Sequence, residues 1–436
     1  MDDIAAEHLL FAHPMLIVAL TKLFNLMLFV SAVPHSFTIS YLVPIPKANF
    51  GTNKLLRCSD FRGIAISSTF SKLMEKAILV AFDSYFVTEE NQFGFKEGIG
   101  CSHAIFSART IIESFVAGDS TANICALDVA SAFPSVNQCS LFSKLTERKI
   151  PVSLLALLEF WYASSHSCVK WSNTFSEFFR VETGLLQGSC LAPALFAVCI
   201  NNVLVHCGAP GVGFILVYAD DVLLISRSVS HLQRLVNIVC KELHDLDLHV
   251  NVAKSFCIRV GKRYHNLCAP IESLGGGIFH WRSSIRYLGV VLEEGRTFKC
   301  SFDLAKRKYN RAVNCLLSKL GRQNRETVLV QLMNAKCLPV LLFGTESCIV
   351  TNRTTSSLDF TVRRFLCKIF KTNNRSVIDD CASSFGVLLP STVIPKRTCK
   401  FRYKFSICEN SFCKYINVLN TAKCSGGCQY GERLAG

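Results

Sequence analysis

The stretch Phe214-Ile-Leu-Val-Tyr218-Ala219-Asp220-Asp221-Val-Leu-Leu-Ile-Ser226 constrains this chain more than any other. Two short apolar runs rich in β-branched residues flank a turn that carries adjacent carboxylates. Each run has the length of a buried strand, and Ala-Asp-Asp suits the tip of a tight hairpin. Hydrophobic lining on both arms drives the hairpin into a core and leaves the acids at its solvent-facing end. Neighbouring anions repel, and a hard divalent cation such as Mg²⁺ removes the conflict. An ordinary Asp-rich turn is the competing reading of these residues taken alone.

A second stretch has the same grammar. Asn123-Ile-Cys-Ala-Leu-Asp128-Val-Ala-Ser-Ala132-Phe133-Pro134 reads as a strand running into a carboxylate and then a tight turn. Two strand ends that each present an acid are what a two-metal phosphoryl-transfer site needs, with ions about 3.5–4 Å apart. Charge points the same way: 47 Lys and Arg against 32 Asp and Glu give +15. That excess favours a polyanionic partner, nucleic acid before an anionic membrane surface. With 436 residues, half of them hydrophobic, the chain can build two or three domains or one enzyme of several subdomains. Its 22 cysteines are scattered through apolar runs and no secretory signal opens the sequence, so reduced buried thiols are expected. Cys399, Cys408, Cys413, Cys424 and Cys428 lack the paired spacing and nearby histidine of a zinc site.

Around these anchors the organisation is legible. Residues 1–33 read as helix interrupted near Pro14, and the abrupt helical start suggests a piece of a longer protein. Met15–Val30 is short of the ~20 apolar residues of a membrane span and carries Thr21, Lys22 and Asn25, so a buried amphipathic helix is expected. Tyr41–Lys47 is extended and restrained by Pro44 and Pro46; it delivers Lys47 into a loop that ends near Asp60, with Arg62 beyond it. A basic residue on each side of such a loop can clamp a phosphate chain. Helices follow from about Ser68 to Phe86 and Ser102 to Ala117, then from Ser140 to Ser165 with Pro151 dividing them. Ser167–Arg180 reads as a hairpin. Gly184–Pro193 leads into an apolar helix; Gly188 admits close backbone approach and Gln187 offers both donor and acceptor. A further helix spans about Val229 to Leu246, and a strand pair lies around Ile285–Val290. Beyond Phe302 the composition turns basic, with Lys306, Arg307, Lys308, Arg311, Lys319, Arg322 and Arg325 on one helix and Arg363 to Lys371 on another. Past Asn374 little periodicity is visible.

In this order the blocks resemble the reverse transcriptase of a non-LTR (LINE-like) retrotransposon, over about residues 3–370. The marks are Tyr218-Ala-Asp-Asp221, the Asp128 block with Ala132-Phe133, Gly184–Pro193, Asn251–Lys254 and Tyr287-Leu-Gly289. Lys336–Glu346 looks like the thumb signature of LINE elements. The resemblance implies an α+β right-hand polymerase fold: fingers, a palm with an antiparallel sheet, and a helical thumb. It implies an RNA-directed DNA polymerase that extends a DNA primer on an RNA template with dNTPs, using two Mg²⁺ ions for which Mn²⁺ can substitute, with the element RNA as a further partner. Asp128, Asp220 and Asp221 match the metal-holding acids, and Lys254 matches the lysine that protonates pyrophosphate. Lys47 and Arg62 match triphosphate contacts. Phe133, Gln187, Gly188 and Tyr218 match the nucleotide pocket, and Phe133 there would exclude a ribose 2′-hydroxyl. The basic residues Lys306, Arg307, Lys308 and Arg311 would carry nucleic acid.

The expected layout is fingers and palm over 1–295 with a truncated N-terminus, a thumb-like region over 296–373, and a cysteine-containing tail of unknown role over 374–436. The family's endonuclease is not expected in this chain, nor is a membrane, and the expected location is intracellular, in nucleus or cytoplasm. Three departures stand out: Pro134 where aspartate is common, Gly63 where proline is usual, and Ala192 where a serine caps the next helix. Losing that cap costs about 1 kcal/mol, and Pro134 removes a backbone donor beside the site. These departures motivate the alternative of a catalytically inactive, nucleic-acid-binding remnant of a decayed element.

Overall fold

A computed structural model describes residues 4–47, 57–206, 213–320 and 326–424. Along the chain come helix α1 (Met15–Val30), strands β1 (Ile39–Pro46) and β2 (Phe61–Ser67), and helices α2 (Thr69–Ala81) and α3 (Cys101–Ala117). Strand β3 (Ala122–Asp128) precedes helices α4 (Gln138–Glu147) and α5 (Val152–Ala163), strand β4 (His166–Trp171) and helix α6 (Ala192–His206). Then follow β5 (Phe214–Tyr218), β6 (Asp221–Ser226), α7 (Val229–His244) and β7 (Phe256–Val260). Strands β8 (Ser284–Tyr287), β9 (Val290–Glu293) and β10 (Lys299–Ser301) come next. The longer helices α8 (Asp303–Leu320), α9 (Asn352–Phe370), α10 (Arg375–Ser384), α11 (Pro390–Ser406) and α12 (Ser411–Cys424) follow, with the short helices Glu326–Leu332 and Leu338–Leu341 between α8 and α9. Two compact units alternate along the sequence. Met1–Phe95, Val129–Cys207 and Ile238–Asn251 form the first; Lys96–Asp128, Gly208–Asn237 and Val252–Gly436 form the second.

The first unit is built on a mixed sheet. β1 runs antiparallel to β2, with Ser40 opposite Ser67 and Pro46 opposite Phe61, and parallel to β4, with Ile39 opposite His166. The buried hydroxyls of Ser40 and Ser167, 2.6 Å apart, satisfy each other across the parallel pair. Prolines are tolerated in β1 because Pro44 and Pro46 lie toward its end, where few ladder bonds remain to be lost. Ser68 starts α2 by accepting a hydrogen bond from the Ser71 amide at 3.0 Å. Helix α1 forms where expected, but it is not buried. It packs against α5 and leaves Ile17, Val18, Leu26, Phe29 and Val30 exposed, with only Met27 enclosed. Apolar residues occur on all its faces, and one neighbouring helix can cover only a single stripe. No described helix is long and apolar enough to cross a membrane.

The second unit holds a four-stranded antiparallel sheet in the order β5-β6-β3-β7. Its strands read as continuous apolar runs because the interior residues, Ile124, Leu216, Leu223, Leu224 and Ile258 among them, are enclosed. Helix α3 packs on this sheet through a buried face that includes Ile105, Ile112 and Phe115. The Phe214–Ser226 hairpin forms as expected, with Tyr218 paired to Asp221 and Ala219 at φ 55° in the two-residue turn. A smaller antiparallel sheet, β8-β9-β10, precedes the basic helix α8, which packs against α9.

Past Asn374 the described residues, as far as 424, are largely helical. Their apolar positions are sparse and Pro395 lies inside α11, which hides the period. Even so, Ile394, Phe401 and Phe405 of α11 are buried at helical spacing. Phe405 stacks on His103 of α3 at 5.7 Å and meets Phe106 edge-on at 4.7 Å, while α12 also packs on α3. Glu346 ties the layer down by accepting from Ser102 Oγ at 2.7 Å and Arg397 at 3.0 Å. Cys428, Arg322 and Arg325 lie outside the described residues.

Candidate active site

Register brings the acids together. β3 pairs with β6 so that Asp128 lies opposite Asp221, and β5 pairs with β6 so that Asp221 closes the turn after Asp220. All three carboxylates therefore sit at one end of the second unit's sheet. The charge they share is visible in Asp221, whose pKa rises from 3.8 to about 6. Burial is the largest cause, followed by the negative charges of Asp220 and Asp128, with Arg286 opposing. Lys254 Nζ stands 3.5 Å from Asp128 Oδ2, and the Asp128 amide donates to Ser255 Oγ at 3.0 Å. Behind Asp221, the Tyr218 hydroxyl is hydrogen-bonded with Cys101, and burial raises its pKa to about 12. Tyr287 is enclosed with its hydroxyl unpartnered and feels the charge of Asp221.

The donor chemistry suits a hard cation: carboxylate oxygens whose mutual repulsion a divalent ion would relieve. Among the described residues, no three His, Cys, Asp or Glu side chains converge closely enough to hold an ion as they stand. Asp128 is instead partnered by the Lys254 ammonium.

The remaining expected site residues belong to the first unit. Arg62 is exposed on β2, and Lys47, also exposed, follows β1 and donates its amide to the Asp60 carbonyl at 2.9 Å. Phe133 lies in a one-turn helix, Ala132–Ser135, half-buried, stacked on Phe196 at 4.8 Å and edge-on to Phe95 at 6.2 Å. The Leu185 amide donates to the Phe133 carbonyl at 2.7 Å. A Cβ on Gly184 would lie 2.5 Å from the Pro134 carbonyl, so this close approach requires glycine. Pro134 itself costs little, because it falls in the first turn of its helix, where amides have no intrahelical acceptor. Gln187 accepts from the Ala65 amide at 2.5 Å, and Gly188, at φ 122°, has its Cα against the Ala65 carbonyl. The serine missing at 192 is replaced from upstream: Ser189 Oγ accepts from the Leu191 and Ala192 amides, each at 3.1 Å.

Of the expected nucleic-acid residues on α8, Lys306 is engaged within the protein by Asp303 at 2.7 Å and Ser357 at 3.2 Å. Arg307, Lys308 and Arg311 are exposed. Sequence reasoning missed Ser255, Arg286 and Glu75. Alternation along β8 signals Arg286, which lies between buried Ile285 and Tyr287; nothing local marks the other two.

The second unit's antiparallel sheet thus presents acids from two adjacent strands at one end, with a lysine beside them. Residues 45–292 match the family described as reverse transcriptase (RNA-dependent DNA polymerase), and the chain belongs to that family, with its right-hand polymerase fold. It is 24% identical over 259 residues to the retrovirus-related Pol polyprotein from the type-2 retrotransposable element R2DM of Drosophila melanogaster, covering 58% of this chain and 24% of that one. It is 24% identical over 348 residues to the probable RNA-directed DNA polymerase from transposon BS of the same fly, covering 75% and 38%. The polymerase from mobile element jockey of Drosophila funebris is 22% identical over 337 residues, covering 73% and 36%. The chain thus spans well under half the length of these relatives. Among solved structures, apo telomerase from Candida tropicalis matches at 11% identity with a TM-score of 0.44, covering 89% of this chain and 66% of that one.

Proposed function

We propose that this chain is the RNA-directed DNA polymerase of a non-LTR, LINE-like retroelement, extending a DNA primer on an RNA template with dNTPs. The observation that carries this reading is the register placing Asp128 opposite Asp221 beside Asp220, in a chain of the reverse transcriptase family. Asp128 and Asp220, with Asp221 as ligand or close support, would hold two divalent ions, Mg²⁺ or in its place Mn²⁺. Bound there, the ions would activate the primer hydroxyl and neutralise the triphosphate. Asp221, whose pKa is raised to about 6 by burial and the neighbouring acids, would be held ionised by a bound cation. Lys254, whose ammonium stands against Asp128, would be the group to give a proton to leaving pyrophosphate. Lys47 and Arg62 bind the triphosphate; Gln187, Gly188 and Tyr218 shape the nucleotide pocket; Phe133 bars the 2′-hydroxyl.

In this reading residues 1–295 are fingers and palm and 296–373 are the thumb, with α11 and α12 bracing α3. Element RNA is the natural template, and the protein works inside the cell, in nucleus or cytoplasm. Exposed Arg307, Lys308 and Arg311 grip phosphates. Neutralising the three should flatten the log–log salt dependence of template-primer binding by about 0.9 per lost contact on a duplex. An unchanged slope would make them a solvated face. The decisive test of function is primer extension on an RNA template with Mg²⁺. Elongation is expected; tight template binding without extension in either Mg²⁺ or Mn²⁺ would instead identify a binding remnant.

A further inference from the structure

Glu75, on α2, is only 6% exposed and is used by no step of the reaction described above. Its neighbours are specific. One carboxylate oxygen, Oε2, accepts from Ser189 Oγ at 3.0 Å, from the Leu191 amide at 3.2 Å, and from the Cys190 amide. These three donors follow directly on Gln187 and Gly188. Upstream in the same loop, Gln187 and Gly188 are fixed to Ala65 of β2 by the carbonyl–amide bond and the glycine-only approach. β2 and α2 are consecutive, joined at the Ser68 cap. The loop is therefore held at two points, by β2 and by the helix that follows it, and β2 also carries Arg62 at its start. At its start the loop is bonded through Leu185 to the turn of Phe133. Burial raises the Glu75 pKa, against the lowering effect of Ser189, the two amides and Lys72 one turn away. A carboxylate kept in so dry a place at that cost is retained by its hydrogen bonds.

We propose that Glu75 is a positioning residue for nucleotide selection, clasping the Gln187–Leu191 loop to helix α2, which directly follows the strand that bears Arg62. This rests on the polymerase reading. Glu75 touches no substrate; it fixes where the Gln187 side chain and the Gly188 backbone stand when a nucleotide arrives. An ordinary helix cap would stabilise α6 and nothing more. A clasp predicts that loosening the loop weakens nucleotide binding while the chemistry, assigned to the carboxylates, proceeds once a nucleotide is in place.

The test compares wild type, Glu75→Ala, Glu75→Gln and Ser189→Ala by primer extension and by hydrogen exchange on the full chain. Glu75→Ala should raise KM for dNTP roughly tenfold, the scale of one charge-assisted hydrogen bond, with kcat within about twofold. It should also speed exchange in the peptide spanning 187–194. Glu75→Gln keeps an acceptor oxygen and should restore both. If Glu75→Ala does not fold, Ser189→Ala should show the same pattern at smaller size. Equal loss of kcat and kcat/KM together with a lowered Tm, or an unchanged KM in folded variants, would overturn the role. Fast exchange in the loop of Glu75→Ala beside a wild type that never extends a primer would leave a clasp but remove the polymerase reading, and the nucleotide role with it.

Discussion

The two main sheets place functional groups by different means. In the second unit, β5-β6-β3-β7 is wholly antiparallel and enclosed, and its acids are positioned by strand register. A shift of one residue would turn every buried side chain outward, so the hydrophobic interior itself fixes where Asp128 and Asp221 stand. In the first unit, the mixed β2-β1-β4 sheet is partly open, with Trp171, Phe175 and Phe179 exposed on or beside its strands. Register there specifies little about the pocket. Gln187 and Phe133 are positioned by backbone contact, through Gly184 on Pro134, Gly188 on Ala65, and Glu75 on the loop. Side-chain substitutions should therefore disable the first arrangement without unfolding it, whereas single methyl groups should damage the second.

The largest effect should come from the register-set acids. Asp128→Asn or Asp220→Asn is expected to bring nucleotide incorporation to the detection limit while template binding holds, measured by primer extension and filter binding. Either mutant extending at the wild-type rate would remove the metal-site assignment. Next comes Phe133→Val, expected to raise ribonucleotide use relative to deoxynucleotide use by orders of magnitude. Parallel loss of both, with a lower Tm, would mean that stacking on Phe196 is all the ring does.

A smaller effect separates the glycines. Gly188→Ala puts a Cβ into the Ala65 carbonyl at a left-handed φ and should cost about 1–3 kcal/mol. Gly100→Ala, with nothing within 4 Å of the added carbon, should stay within about 0.5 kcal/mol. Denaturant melts that fail to separate these two would show that the loop yields. The smallest effect concerns Asp221. Its folded pKa lies above its unfolded value of 3.8, so its favourable contribution is complete below that pH and is lost as pH rises through about 6. Metal-free protein should lose Tm over that window, and Asp221→Asn or added Mg²⁺ should flatten the loss. A window that persists in Asp221→Asn belongs to another group.

Much of the enclosed sheet was legible because its signals are local. Apolar runs ending in Asp128 and Asp220 announce buried strands with acids at their ends, and the hairpin needs only a two-residue turn. The first unit hid more. Its parallel β1–β4 pair joins residues some 127 positions apart, as Ser40 and Ser167 show, and no local pattern encodes such a partner. Nothing local marks Glu75 among the polar residues of its helix; its value depends on a loop 114 residues later. Helix α1 was misjudged as buried because composition reports what can be covered, not whether a neighbour covers it. The last three helices are hard to read because their apolar stripes are short: α11 docks on α3 through a few aromatics, α12 packs beside it, and α10 rests on α9.

The close packing of Gly188 on Ala65 has a consequence for inheritance. Under the proposed function, this protein copies the RNA that encodes it, so an error made in its nucleotide pocket becomes a change in its own next generation. A missense change at codon 188 would loosen the loop that governs copying accuracy, and the descendants would accumulate further changes faster.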